Sequence, residues 1–525
     1  KYQTGLDSSR PVYSLLDQSL NQNSNTTSFV SDGLNRSPNW HRFDTNSAQA
    51  VGGRSAGADA NRTSEPQQST NYLEKSLEIT NNFGTHECKA FRKNIFEQFP
   101  FLSFPLAHEF LKTAKKQGNA EGNRKLLTLQ KLLTIQELPV TASEDDLKEF
   151  SKIKALECFR ISDNLPEDIA LKACLDLANK YCISPPISKK SYDNPKFTLL
   201  RMFEPKWWLR NIRKVCDRKL AEVERELGLV NDKNSPYSSK RSILKRRRVI
   251  AYQRKYMEER YLSNHLGKRY SLAELADKNV SNPAIRRAEL MTRISGFEMV
   301  AKTLGHACIF LTLTTPSRMH SNHKKGRRNK KFDGTTPHQA QVHLNRSWAC
   351  MRAEFKRQEI QPYGFRIAEP HHDGTPHWHF LFFSPEKELQ KVLKVMRKYS
   401  LQIDGTEKGA VEHRFKSIDI DMENGSAAGY IAKYISKNID GEFLDEDLLG
   451  NPAKQSAEAI ETWARNHNIR QFQQIGGPSV TVWRELRKLK EPLDNKVAEK
   501  ARFAADTGDW AAYVLAMGGV HKKTS

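Results

Sequence analysis

Neither a paired-cysteine motif nor a long apolar run occurs in this 525-residue sequence. The seven cysteines (Cys88, Cys158, Cys174, Cys182, Cys216, Cys308 and Cys350) are scattered, with no C-x-x-C pair. This pattern argues against a disulfide framework or a zinc–cysteine site and suits reduced thiols in a cytoplasm. No apolar stretch approaches the roughly 20 residues that span a bilayer, and nothing resembles a secretory signal. A membrane is therefore not an expected partner. The chain opens on Lys1 rather than Met, so the native start is expected upstream. Negative charge is also in short supply: 61 Asp and Glu face 84 Lys and Arg, a net +23. Such an excess favours an anionic partner, most commonly nucleic acid, but selects no chemistry.

The length implies two or three folded units with linkers. Residues 1–75 are rich in Ser, Asn, Gln, Thr and Gly and too poor in large apolar residues to offset the entropy of ordering, so a disordered polar tail is expected. Residues 76–300 read as mainly helical. "ASEDDLKEFSKIKALECF" opens with a Ser cap and an acidic first turn, then carries Leu147, Phe150, Ile153 and Leu156 at helical spacing. "EPKWWLRNIRKVCDRKLAEVERELG" begins after a proline and ends at glycine. In "SSKRSILKRRRVIAYQRKYMEERY", Arg246, Arg247 and Arg248 precede Tyr252 and Tyr256, one turn apart. That face either tracks phosphates or is a solvated basic face with ordinary buried tyrosines.

From about residue 306 the period changes. "HACIFLTLTTP" is a short β-rich run, and "HKKGRRNKKFDGTTP" is a loop with six Lys or Arg in its first nine residues. Those six, Lys324, Lys325, Arg327, Arg328, Lys330 and Lys331, are candidate DNA-binding residues through phosphate contacts. A helix is expected over 338–358, with Leu344, Trp348, Met351 and Phe355 on one stripe. Strands "YGFRIAE" and "HWHFLFF" follow, joined by "PHHDGTP", whose Asp-Gly is a turn signal. A helix near 385–400, a strand near 411–419 and a helix near 425–439 complete the order β-α-β-β-α-β-α. This is the order of a split βαβ antiparallel sheet with helices on one side. The expected class is α+β, with the sheet unit at 301–440 and a helical region at 441–525.

Alternation puts His377 and His379 on one strand face, about 7 Å apart. Leu381 and Phe383 continue that face, and Trp378, Phe380 and Phe382 take the other, so the strand is apolar on both sides as a central strand should be. If Glu369 pairs opposite His377, Ile367 lies opposite His379. Two neutral imidazoles and a carboxylate can then hold a divalent ion with positions left open for a phosphate. That ligand set suits Mg²⁺ or Mn²⁺, and imidazole also accepts Zn²⁺. His371, His372 and Asp373 in the turn are weaker candidates for the third ligand, because turn side chains are less fixed. Taken alone, H-x-H more often marks strand histidines satisfied by hydrogen bonds.

"GSAAGYIAKYISKNI" carries Ala427, Ala428, Ile431, Ala432, Ile435 and Ile439 on one helical stripe. Tyr430 and Tyr434 lie one above the other at its border, and Lys433 and Lys437 share the polar side. A phenol with its usual pKa near 10 is a poor nucleophile at neutral pH. A nearby cation favours the phenolate and neutralises charge developing at phosphorus, which makes both tyrosines and both lysines candidate catalytic residues. Two tyrosines allow two successive transesterifications. The bland reading is two amphipathic tyrosines at a helix border.

From about Phe310 to Arg487 the sequence resembles the bacteriophage replication gene A proteins, members of the HUH endonuclease superfamily. The resemblance rests on "FLTLTTPSRMH", "YGFRIAEPHHDGTPHWHFLFF", "YIAKYISKN" and "IRQFQQIGGPSVTVWRELRKL". "HWH" matches the family's histidine-hydrophobe-histidine signature and Y-x-x-x-Y its two-tyrosine signature; the region before 300 resembles it only weakly. The resemblance implies a ferredoxin-like HUH nuclease domain in a rolling-circle replication initiator. It implies a nick in one strand of the phage origin, a 5′-phosphotyrosine link, and a free 3′ hydroxyl that primes a host polymerase while a host helicase unwinds the duplex. His377, His379 and Glu369 would be metal ligands and Tyr430 and Tyr434 nucleophiles, acting on single- and double-stranded origin DNA in the cytoplasm of the bacterial host. Relatives are expected to continue beyond the final "AMGGVHKKTS". Two other readings are a relaxase or single-strand transposase of the same chemistry, and a non-enzymatic RNA-binding module with stacking aromatics on an open sheet face.

Overall fold

The computed structural model describes residues 64–186, 194–442, 444–447 and 449–521. The chain divides into two compact units, one formed by residues up to Leu126 with Asp145–Leu209, the other by Leu127–Glu144 with Arg210 onward.

The first unit is helical, with Ile95, Phe96, Leu106 and Phe110 fully buried. The expected polar tail over 1–75 needs correction at its end; residues 1–63 lie outside the described residues. Ser64–Thr80 is a helix, because its later turns carry residues that pack: Ser76 and Thr80 are buried and Tyr72 stacks on Phe104. The helix Glu144–Asn164 also departs from expectation. Leu147 and Phe150 are buried, but Ile153 and Leu156 are about half exposed. A repeat of three walks backward by about 60° per step around a 3.6-residue helix. The core is instead continued by Ser151, Ala155 and Cys158, which stay on the side of Leu147.

In the second unit, α1 (Lys240–Glu258) is followed by a hairpin of two short strands, Tyr261–Ser263 and Arg269–Ser271, and then by α2 (Pro283–Leu304). A five-stranded sheet follows: β1 (His306–Leu313), β2 (Tyr363–Pro370), β3 (Pro376–Pro385), β4 (Phe415–Ile420) and β5 (Phe472–Ile475), in spatial order β4-β1-β3-β2-β5. All neighbouring strands are antiparallel. Helices α3 (Pro337–Arg357) and α4 (Glu386–Ser400) connect β1 to β2 and β3 to β4, and α5 (Ala427–Ile439) and α6 (Ala453–Asn466) follow β4. β4 starts four residues later than expected, after a short helical turn at Ala410–His413. β5 was not anticipated, since four residues with two glutamines carry little β signal.

The expectation of helices on one side only fails as well. Trp378, Phe380 and Phe382 pack with Leu344, Trp348, Met351 and Phe355 of α3 and with α4 and α6. The opposite face is covered too: Leu381, Phe383, Phe310 and Phe365 pack against α2, α5 and the C-terminal helices around Trp483 and Trp510. A strand apolar on both faces requires two covers.

Removal of the first helix should be felt locally. Arg92 is buried and donates to the carbonyls of Thr80 and Phe83. A chain beginning at His86 strips this guanidinium of both acceptors and should lose at least about 1–3 kcal/mol relative to one beginning at Ser64. Thermal unfolding of the two chains measures the difference, and equal midpoints would contradict it.

Candidate active site

The register of the central strands brings the site together. Glu369 of β2 lies opposite His377 of β3 and Ile367 opposite His379, while Thr312 of β1 flanks His379 from the other side. Both imidazoles stand on the sheet face that α5 covers. That helix is fixed at its start by two caps. Ser426 accepts from Gly429 N, and the buried Glu298 of α2 accepts from Ala428 N at 2.9 Å. The anchored helix passes Tyr430 and Tyr434 over Phe310 and delivers Lys437 and Asn438 to Glu369.

The Nε2 atoms of His377 and His379 face each other at 3.0 Å, and Glu369 Oε2 lies 3.9 and 3.7 Å from them. Glu369 accepts from Lys437 Nζ at 3.2 Å and from Asn438 Nδ2. Burial pushes its carboxyl up, but the Lys437 ammonium, the neighbouring His379 ring and the hydrogen bond from Asn438 outweigh it and hold the group down to about 2. Burial holds His377 well below the ordinary imidazole range, hence neutral, and a second positive charge is also disfavoured beside the neighbouring imidazoles His371 and His379 and the Lys437 ammonium. Thr312 Oγ1 lies 3.0 Å from His379 Nδ1 and fixes that ring's other nitrogen. If Thr312 takes the Nδ1 proton, His379 Nε2 offers a lone pair. His377 Nε2 then either donates its proton to that lone pair or presents its own, and two lone pairs at this separation repel unless something positive lies between them.

The residues fit a divalent ion. They are the three metal-ligand candidates that converge among the described residues. A triangle with edges of 3.0, 3.7 and 3.9 Å has a circumradius of about 2.1 Å, which is a normal bond length for imidazole or carboxylate on Mg²⁺ or Zn²⁺.

Tyr434 packs on His379 with ring centres 4.6 Å apart, and Tyr430 lies 6.3 Å from Tyr434. Lys433 Nζ sits 4.9 and 5.2 Å from the centres of the Tyr430 and Tyr434 rings. Burial pushes the Tyr434 phenol up, and the neighbouring Tyr430 phenol and the Glu369 charge add to this. A candidate metal-ligand triad, a cation and two phenols are thus assembled around Phe310, an arrangement able to bind and polarise a phosphodiester beside an oxygen nucleophile.

Residues 145–442 match the family model of the bacteriophage replication gene A protein (GPA). The chain belongs to that family. The replication gene A protein of Escherichia phage 186 is 41% identical over 357 residues, covering 65% of this chain and 51% of that protein. A probable replication protein P12 of Pseudoalteromonas phage PM2 is 39% identical over 343 residues, covering 63% and 53%. A probable replication endonuclease from a prophage-like region of Salmonella typhimurium is 35% identical over 341 residues, covering 62% and 42%. The chain therefore spans about half the length of the curated relatives it matches. No solved structure matches. The gene A match extends well before residue 300, into helices where sequence motifs gave only a weak resemblance.

Among these gene A site candidates, Lys437 is not on the polar side of α5. It is buried, because the last turn of the helix runs under β2 and the ammonium meets Glu369 there. Asp373 is excluded as third ligand. It is fully buried and engaged by Ser321 N, Thr375 and Arg225, which also takes the carbonyls of Met319, Thr335 and Asp373. His371 instead stacks on His377, with ring centres 4.1 Å apart. In the basic loop, Lys324, Arg327, Lys330 and Lys331 are exposed, Arg328 pairs with Glu226 at 2.7 Å, and the side chain of Lys325 is not described. Thr312, Phe310, Asn438 and Glu298 were missed, since their roles arise from strand pairing and helix packing. Only the register argument could have found Thr312.

The Glu369–Lys437 pair makes a separable prediction. Lys437→Met leaves a buried carboxylate without its cation and should cost about 3–5 kcal/mol, most of it recovered by adding Glu369→Gln. Because the carboxyl is held down to about 2 from an ordinary value near 4.5, its stabilisation is present above that value and is lost as pH falls toward 2. In EDTA, wild type should lose more stability than Glu369→Gln in that window. Parallel acid-unfolding curves would refute the pairing.

Proposed function

We propose that the chain is a phage replication initiator that nicks origin DNA by tyrosine transesterification, acting in the cytoplasm of the bacterial host. The observation that carries this reading is the packing of Tyr434 on His379, which puts a phenol beside the Glu369–His377–His379 triad in a gene A family chain. A relative named a probable replication endonuclease supports nuclease chemistry. The strand order β4-β1-β3-β2, with α3 and α4 as the two crossovers, supports a ferredoxin-like HUH nuclease. The RNA-module alternative needs an open sheet face for stacking, and here both faces are covered.

His377, His379 and Glu369 would hold Mg²⁺ or Mn²⁺, which when bound polarises the scissile phosphate as a Lewis acid. Lys433, near both rings, favours a phenolate. The phenol oxygen loses its proton and attacks phosphorus, the bond from phosphorus to the 3′ oxygen breaks, and that oxygen takes up a proton. The products are a 5′-phosphotyrosine and a free 3′ hydroxyl, which suits priming by a host polymerase behind a host helicase in rolling-circle replication. The second tyrosine would repeat the exchange to close the circle. Lys437 and Asn438 orient the carboxylate, and Phe310 sets the distance between the tyrosines and the triad.

Incubation with a single-stranded phage-origin oligonucleotide and Mn²⁺ should give a covalent adduct whose peptide map places the phosphate on Tyr430 or Tyr434. The double Tyr430→Phe, Tyr434→Phe variant should form none while binding DNA normally, and His377→Ala should behave alike, since phosphate contacts dominate affinity. An adduct from the double variant would overturn the nucleophile assignment.

The basic loop is tested separately. Replacing Lys324, Arg327, Lys330 and Lys331 by Gln should flatten the salt dependence of duplex binding, by up to about 0.9 in log–log slope for each phosphate no longer neutralised. An unchanged slope would remove the loop from the DNA path.

A further inference from the structure

Residues 240–271 hold eleven Lys or Arg (240, 241, 245–248, 254, 255, 260, 268 and 269) against Glu258 and Glu259, a net +9 of the chain's +23. They form α1 and the hairpin after it. α1 buries none of its residues. Its first half is nevertheless committed: Arg246 pairs with Glu461 at 2.8 Å and Arg247 with Glu458 at 2.6 Å, both on α6. These two arginines, which one of the two readings of this face turned toward phosphates, act instead as anchors to the sheet unit.

The second half is different, although Arg254 is paired there with Glu258 at 2.8 Å and with Asp277 at 2.7 Å. Tyr252 is 72% and Tyr256 44% exposed, contrary to tyrosines buried in a core. They lie one turn apart, and the Arg260 guanidinium continues the row 3.4 Å from the centre of the Tyr256 ring. In the hairpin, Tyr261 is 62% exposed, Arg269 stands opposite Ser263, and Leu266 at the tip is 78% exposed. A merely solvated face would carry Lys and Glu, yet this one presents three exposed tyrosines within ten residues, interleaved with cations.

We propose that the second half of α1 and the adjoining hairpin form a binding surface for single-stranded DNA, in which Tyr252, Tyr256 and Tyr261 stack on bases and Lys255, Arg260, Lys268 and Arg269 neutralise phosphates. Charge complementarity selects a nucleic acid. Aromatic faces select unpaired bases, because a duplex hides its π-faces and is read through hydrogen-bonding side chains at base edges. The surface rests on the reading that the chain works on DNA, and would hold the strand exposed at a nicked origin.

The test uses the full chain in EDTA, so that binding is scored without cleavage. Anisotropy of a labelled oligothymidylate of roughly 30 nucleotides should show Tyr252→Ala/Tyr256→Ala binding at least about tenfold more weakly than wild type, with duplex affinity changed less than about threefold. Tyr252→Phe/Tyr256→Phe should bind as wild type, because stacking needs the ring and not the hydroxyl. Unchanged binding by the Ala variant, equal loss on duplex, or loss by the Phe variant would each overturn the proposal. Cleavage of origin DNA by wild type with Mn²⁺ is scored apart. Its failure would sink the proposed function and leave the binding result standing.

Discussion

A carboxylate with no access to water, Glu369, is the group around which the sheet unit is organised. Removing such a charge from water costs several kcal/mol unless cations and donors replace its hydration. The replacements are Lys437 and Asn438, adjacent residues in the last turn of α5. A lysine there is favoured by the helix dipole as well as by the carboxylate. The compensation therefore ties one helix to one strand at one register. Any slide of α5 along the sheet would separate Glu369 from its cation and carry Tyr430 and Tyr434 off Phe310 at the same time.

The far end of α5 is held by the same kind of bond with the polarity reversed. Glu298 of α2 accepts the N–H of Ala428 and the hydroxyl of Ser426, supplying negative charge where the helix dipole is positive. Between the two carboxylates the helix offers the sheet only Ala427, Ala428, Ile431, Ile435 and Ile439 as core. Apolar packing alone tolerates small shifts of register. Charged anchors at both ends do not, and they fix the tyrosines to within a hydrogen-bond length of their place over β1 and β3.

Much of this was legible because strand period and pairing are arithmetic. Once β2 and β3 are joined by a tight turn, alternation dictates that Glu369 meets His377 and that both imidazoles share a face. The stripe of α3 and that of α5 were legible for the same reason. What escaped depended on distant segments. The burial of Lys437 follows from where β2 runs, which no helical wheel contains. The fate of Asp373 depends on Arg225, 148 residues earlier. β5 exists because β2 leaves an edge for it, and its own residues scarcely ask to be a strand. The run Leu147, Phe150, Ile153, Leu156 misled because a spacing of three resembles a helical stripe for two turns and then leaves it.

The two tyrosines are chemically unequal, although the sequence presents them as a repeat. Tyr434 contacts His379 directly, and burial together with the Glu369 charge opposes its ionisation. That opposing charge belongs to the machinery itself. Neutralising Glu369 relieves Tyr434, and a negative charge placed on Tyr430 burdens it further. On the proposed reading, a phosphate esterified to Tyr430 would bring such a charge within one helical turn, while Lys433, near both rings, can answer only one phenolate at a time. A second exchange at Tyr434 would then have to form its phenolate against that added charge, with one lysine and one fixed carboxylate shared between the two phenols.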